Sequence, residues 1–304
     1  MAKTGVSYAT LDVFTNEKFT GNQLAIIEVP QSGLTQDEKQ SIAKEFNYSE
    51  SVFLHARETS SEADTWAINI FTADEELPLA GHPVIGTACY VLGALAKGEG
   101  ITKGTFLTKA GRIDLEYDAV KRTAKAAIPH SVRIHSSVYS RYELERLQPS
   151  IGVLPDSSPI VSIVKGMIFV LVALDSQDAL TFVNTTPYPV NVALDKDWGD
   201  SFVASYFYYR LPNSDADIVR LRTRMIEGSL EDAATGSAAS TLAAYLTLQE
   251  GKPGKSVRYA IVQGVEMGRR SEIFVDVKLD DSGKIETVHL SGGAVKVMEG
   301  KLFI

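Results

Sequence analysis

The chain has 304 residues, 44% hydrophobic and 22% charged, an ordinary globular composition with length for roughly two domains. Its formal charge of -8 argues against a nucleic-acid partner, because phosphate binding needs a basic footprint. A single cysteine, Cys89, excludes an intrachain disulfide framework and argues against a cysteine-based metal site.

In chain order, Met1–Tyr8 shows no apolar stretch of the kind a secretory signal needs. Tyr8–Phe14 and Ala25–Val29 alternate as strands. Thr35-Gln-Asp-Glu38 is a capping box that opens a short helix with Ile42, Ala43 and Phe46 on its apolar face. Ser51–His55 and Trp66–Phe71 are expected strands. Val84, Ala88, Val91, Leu92 and Leu95 follow helical spacing, and Gly98 is expected to stop that helix. Residues near 120–132 are expected to link two halves. Further strands are expected at Ile160–Val164, Phe169–Leu174, Phe202–Arg210, Val219–Ile226, Val257–Gln263, Ile273–Leu279 and Glu286–Leu290. Leu242, Tyr245 and Leu246 mark a second helix that stops at Gly251. Gly293–Ile304 is expected to return as a strand to the first half. The longest apolar runs, such as Ile168–Leu174, are too short to cross a bilayer, so a cytoplasmic location without membrane contact is expected.

Two features recur about half a chain apart. A strand running into a glycine turn and then a helix occurs at Glu76-Leu-Pro-Leu-Ala-Gly81-His82 and again at Glu231-Asp-Ala-Ala-Thr-Gly236-Ser237. A strand–Gly-Arg–strand corner occurs at Gly111-Arg112 and again at Gly268-Arg269. The repeat predicts an α+β fold of two similar lobes, residues 1–125 plus 293–304 and residues 126–292. Each is a curved, mostly antiparallel sheet wrapped around a central helix. A doubly wound parallel sheet is disfavoured, because strands and helices do not alternate one to one.

The two glycine turns each deliver backbone N–H groups at a helix start, and two such starts facing each other would make an anion pocket. The plain alternative is a pair of helix caps. His82 stands at the first of these starts, where a positive charge is disfavoured, and a neutral imidazole there can bind substrate or pass a proton. Asp232 precedes Gly236 and can orient a histidine or a substrate ammonium, while Ser237 can donate to a carboxylate. A turn aspartate and a capping serine are the structural alternatives. Glu50 leads into an apolar strand, and partial loss of water suits a carboxylate to proton transfer; otherwise it is a surface glutamate. Arg220, Arg222 and Arg224 alternate along one strand face and are expected to form a solvated face or an interface. The remaining histidines show no metal-ligand spacing. No phosphate-binding loop, dinucleotide fingerprint, zinc-protease motif or hydrolase nucleophile elbow is present.

At these residues the chain resembles the PhzF (phenazine biosynthesis-like) family. The resemblance lies in Leu11-Asp-Val-Phe-Thr15, Phe19-Thr-Gly-Asn22, Asn47-Tyr-Ser-Glu-Ser-Val-Phe53, Ala80-Gly-His-Pro83, Glu231–Ser237 and Gln263-Gly-Val-Glu-Met-Gly-Arg269, in order across the chain. It implies a diaminopimelate-epimerase-like fold of two pseudo-symmetric lobes, a cofactor-independent and metal-free isomerase, and a homodimer. It places the acid/base glutamate at Glu50, with His82 and Asp232 as further catalytic residues. Gly81, Gly236, Ser237 and Asn22 fall in the substrate-binding motifs. Related epimerases and racemases carry a thiol before each helix-opening glycine, where this chain has Ala80 and Thr235. Gln23, Ala233 and Arg270 stand where the family usually has proline, which bears on substrate rather than fold. The expected activity is a proton shift within a small carboxylate-bearing substrate. The alternatives are an amino- or hydroxy-acid epimerase or racemase without thiols, and a non-catalytic small-molecule binding scaffold.

Overall fold

A computed structural model describes residues 5–57, 64–98, 100–199, 202–212 and 218–304. The first four residues of the Met1–Tyr8 segment lie outside it. The fold is α+β and sheet-rich, with seventeen strands and four α-helices among the described residues. It divides into two compact units: residues up to Ala127 with Ser291–Ile304, and Ile128–Leu290.

In the first unit β1 (Gly5–Val13) and β2 (Asn22–Glu28) form an antiparallel hairpin whose pairing runs from Tyr8 with Ile27 to Val13 with Asn22. Helix α1 (Gln36–Phe46) crosses to β3 (Glu50–Leu54), which lies parallel to β2 with Leu24 opposite Glu50. The capping box is formed: Thr35 accepts from Glu38 N, and the Glu38 carboxylate accepts from the Thr35 backbone. Asn47 closes the helix in the left-handed conformation at φ 51°, a role asparagine tolerates better than most residues. Ile42 and Ala43 are buried against Ala25, Ile27, Phe53 and Phe71, with Phe46 packed at the margin. Each such large side chain contributes about 1.5–3 kcal/mol when fully buried.

Strand β4 (Asp64–Phe71) pairs antiparallel with β3, and the two-residue β5 (Glu76–Leu77) folds back on β4. Helix α2 (Gly81–Leu95) then crosses to β6 (Ile101–Thr108), parallel to β4, and a meander continues through β7 (Gly111–Asp118) and β8 (Thr123–Ala127). Helix α2 packs against β1, β2, β3, β6, β7 and β8 of its own unit. It ends at Ala96, and Gly98, at φ 73°, turns the chain two residues later. The segment expected as a linker contains β8, held to β7 from Leu115 with Ala126 to Asp118 with Thr123. Its short Thr-Ala-Lys-Ala-Ala run alternates buried and half-buried residues but carries too little hydrophobicity to announce a strand.

The second unit contains β9 (Arg133–Ser140), α3 (Arg141–Leu147), β10 (Ser157–Val164), β11 (Met167–Ala173), β12 (Phe202–Arg210), β13 (Ile218–Glu227), β14 (Leu230–Asp232), α4 (Gly236–Glu250), β15 (Ser256–Gln263) and β16 (Ser271–Leu279). Strand β17 (Ile285–Phe303) begins here and continues into the first unit, where Ala294–Phe303 pairs antiparallel with β1. The parallel pairs β2–β3, β4–β6, β11–β12 and β13–β15 each need a crossover, and the other registered pairs are antiparallel. Helix α4 packs against β10, β11, β15 and β16 and is buried on most sides of its first three turns.

The expectation of a solvated arginine face fails at Arg222 and Arg224. Arg224 is 7% exposed and forms a bidentate pair with Glu231, both contacts at 2.7 Å, while its Nη1 donates to the carbonyls of Leu180 and Val183 at 2.7 Å. Arg222 donates to Glu266 at 2.7 Å with its side chain only 11% exposed. The carbonyls of Leu180 and Val183 and the carboxylates of Glu231 and Glu266 lie over these two guanidinium groups where water was expected. Alternation says which residues share a face, not what covers it.

Candidate active site

Within the first unit, the β1–β2 connection is built around Asp12. Its buried carboxylate accepts from Phe19 N at 2.6 Å, and Phe14 N donates to Gly293 O at 2.8 Å. Gly21 sits at φ 69°, and a Cβ there would lie 2.3 Å from Val13 O, so only glycine fits. The chain thereby enters β2 at buried Asn22, whose Oδ1 accepts from Ser49 Oγ at 3.5 Å. That bond ties Asn22 to the residue preceding Glu50.

Glu50 stands at the mouth of β3, where half-buried residues give way to a fully buried run. Its side chain is 17% exposed and its Oε2 lies 3.5 Å from His82 Nδ1. His82 lies in the first turn of α2 with its side chain 4% exposed, and its Nε2 is buried without a hydrogen-bond partner among the described residues. An unpaired buried nitrogen costs stability, and such groups concentrate at sites that serve a ligand. With Nδ1 turned to the carboxylate, the Nδ1–H tautomer is the one that can donate to Glu50.

The packing beneath explains why the two meet. Glu50 is paired with Leu24, and a Cβ on Gly86, one turn beyond His82, would lie 2.6 Å from both Leu24 Cδ2 and Val13 Cγ2. Glycine at this position lets α2 settle onto β1 and β2. Gly81 begins α2 after Ala80, which provides no side-chain cap.

In the second unit Asp232 ends β14, and its Oδ2 accepts from Thr235 Oγ1 at 2.6 Å. Thr235 is the N-cap of α4, yet its hydroxyl makes no capping bond, so Gly236 and Ser237 open a helix that its own N-cap side chain leaves uncapped. Helices α1 and α3 both carry full capping boxes, whereas the two long helices have none. Open helix starts offer N–H donors and a positive dipole end to an anion. The capping-serine alternative fails for Ser237, which lies inside the first turn.

Buried Gln263 holds this turn, donating to Asp232 O at 2.9 Å, a contact that no local pattern announces. Glu227 lies in the same hairpin, its carboxyl pushed up by burial and then by the charge of Asp232. Ser162, His135 and Asp195 form an apparent triad: Ser162 Oγ is 2.9 Å from His135 Nε2. Asp195 N donates to His135 Nδ1 at 3.2 Å, however, so Nδ1 carries no proton and Nε2 must donate to the serine. With both Ser162 and His135 buried, the cluster is structural. Asp195 also accepts from Ser136 and Arg133, which hold its carboxyl well below the usual range. Cys89 is half-buried in α2, and desolvation raises its thiol to about 12, which disqualifies it as a base at neutral pH. Among the described residues no cluster of three His, Cys, Asp or Glu side chains is placed to hold a metal ion. No described helix is long and apolar enough to cross a membrane.

The family profile for phenazine biosynthesis-like proteins, PhzC-PhzF, matches residues 11–300, and the chain belongs to this family. It is similar to trans-2,3-dihydro-3-hydroxyanthranilate isomerase of Pseudomonas aeruginosa, with 30% identity covering 98% of this chain and 99% of the relative. It is 31% identical to an uncharacterized isomerase of Pasteurella multocida, covering 99% of this chain and 95% of the other. The Bacillus anthracis phenazine biosynthesis protein of the PhzF family shares the fold, with TM-score 0.77 and 23% identity over 99% of this chain and 100% of that one.

Proposed function

We propose that the chain is an isomerase that moves a proton between two carbons of a small carboxylate-bearing substrate, without a cofactor, using Glu50 as the acid/base group. The observation that carries this is the Glu50–His82 contact at 3.5 Å, in a chain whose full-length relatives include named isomerases. Glu50 combines partial exposure, for substrate access, with a buried partner that restrains it. Its carboxylate removes a proton from one carbon, the electron pair of the broken C–H bond delocalises into the conjugated system, and the same proton returns to a second carbon. One base suffices if both carbons present the same face. His82 steadies the carboxylate through Nδ1 and offers Nε2 to the substrate. Asp232 is proposed as a further catalytic residue, and Asn22, Gly81, Gly236 and Ser237 as substrate-binding residues, an uncapped helix start being suited to a carboxylate.

Two-base racemisation through thiols has no support, since the N-cap positions of the long helices hold Ala80 and Thr235. The two compact units are proposed as pseudo-symmetric lobes of a diaminopimelate-epimerase-like fold, each with its central helix, and the working form as a cytoplasmic homodimer.

The test uses trans-2,3-dihydro-3-hydroxyanthranilate, named for the Pseudomonas aeruginosa relative, and a panel of unsaturated cyclic carboxylates. Each is deuterated at the proton-donating carbon and followed by proton NMR in ordinary water. A single shuttling base predicts an isomerised product that keeps part of the label at the accepting carbon. Undiminished turnover in a folded Glu50→Gln variant would reject Glu50 as the base, and exchange with inversion at one stereocentre would indicate an epimerase.

A further inference from the structure

Gln263, at the end of β15, is fully buried and uses every hydrogen-bonding position of its carboxamide. Its Nε2 donates to Asp232 O at 2.9 Å and to Thr235 Oγ1 at 3.0 Å. Its Oε1 accepts from Tyr206 OH at 3.0 Å and from Thr235 N at 3.3 Å. The amide has one workable orientation, because a flip would turn its NH2 onto the Thr235 N–H. The backbone beyond it is equally constrained. Gly264 sits at φ 72°, and a Cβ there would lie 2.6 Å from the carbonyl oxygens of both Ala233 and Arg269.

This geometry settles where the Thr235 proton goes. Thr235 Oγ1 accepts from Gln263, so its one proton is left for Asp232 Oδ2, 2.6 Å away. A threonine at an N-cap ordinarily turns its hydroxyl to the first-turn N–H groups of its helix. Here that bond is absent.

We infer that Gln263 is a positioning residue that holds the Thr235 hydroxyl on Asp232 and away from α4, fixing the aim of a carboxylate the reaction uses. The catalytic consequence rests on the role proposed above for Asp232; the diversion of Thr235 does not. The motif Gln263–Arg269 therefore acts on the Glu231–Ser237 turn from a strand that follows α4.

The decisive variant is Gln263→Met, similar in length and without a polar group. Its crystal structure should show Thr235 Oγ1 rotated beyond about 3.5 Å from Asp232 Oδ2 and bonded to a first-turn N–H of α4. Thr235 still on Asp232 would overturn the inference. Kinetics with trans-2,3-dihydro-3-hydroxyanthranilate, normalised to the folded fraction given by a melting curve, should show kcat lowered about 30-fold with KM within about threefold. Rotation of Thr235 with kcat unchanged would uphold the diversion and reject the role of Asp232 instead. Should Gln263→Met not fold, Thr235→Val in the otherwise native protein decides by hydrogen exchange. The first-turn amides of α4 should exchange within about twofold of the wild-type rate, because no cap is removed, whereas acceleration of roughly fivefold, as for loss of an ordinary N-cap, would contradict it.

Discussion

A histidine nitrogen buried without a partner is a standing cost to a fold, and His82 Nε2 is such an atom. Replacing the imidazole by an apolar side chain removes that cost and takes away one neighbour of Glu50, which retains contact with water. His82→Leu is therefore expected to leave the melting temperature unchanged or slightly raised while turnover falls by about 10²- to 10⁴-fold. A melting curve and an isomerisation assay check both halves. A large loss of stability with turnover intact would make His82 a structural residue. Much at this scale was legible in the sequence. Glu50 at a strand mouth, His82 in a first helical turn and Gly236–Ser237 at a helix start all follow from local pattern. The hydrogen bonds of Gln263 were not, because they join residues distant in sequence and leave no periodic trace. Nor was the burial of Arg224, since an alternating strand does not announce the neighbours on either side of it.

Among the secondary-structure elements, helix α2 brings His82 to Glu50 because Gly86 allows close approach to β1 and β2. The Gly86→Ala methyl would meet Val13 Cγ2 and Leu24 Cδ2, both at 2.6 Å from the built Cβ, and valine has little room to yield. The expected cost is about 1–3 kcal/mol, with a fall in turnover as His82 is displaced. Adding Val13→Ala should recover a good part of both, which denaturant unfolding and kinetics on the single and double variants will measure. Recovery of stability without activity would separate packing from positioning. The helices themselves were written plainly: the Thr35–Glu38 capping box, the spacing of Val84, Ala88 and Val91, and the glycine turns before α2 and α4. Helix α3 had an equally clear signal, Ser140-Arg-Tyr-Glu143, a capping box followed by only one and a half to two turns. Its shortness hid it, as the modest hydrophobicity of β8 hid that strand.

For the whole molecule, the repeated glycine turns and Gly-Arg corners anticipated an α+β chain, and β17 returns to pair with β1 as expected of Gly293–Ile304. Family membership, with relatives named isomerases, connects the chain to isomerase chemistry, and Glu50 is the residue proposed to carry it. Glu50→Gln tests that most directly, because the amide keeps the shape and removes the basic oxygen pair. With trans-2,3-dihydro-3-hydroxyanthranilate, or another unsaturated carboxylate the wild-type enzyme isomerises, turnover is predicted to fall by about 10²- to 10⁴-fold while the melting temperature shifts by no more than about 4 °C. Wild-type turnover in a folded Glu50→Gln protein would contradict the account.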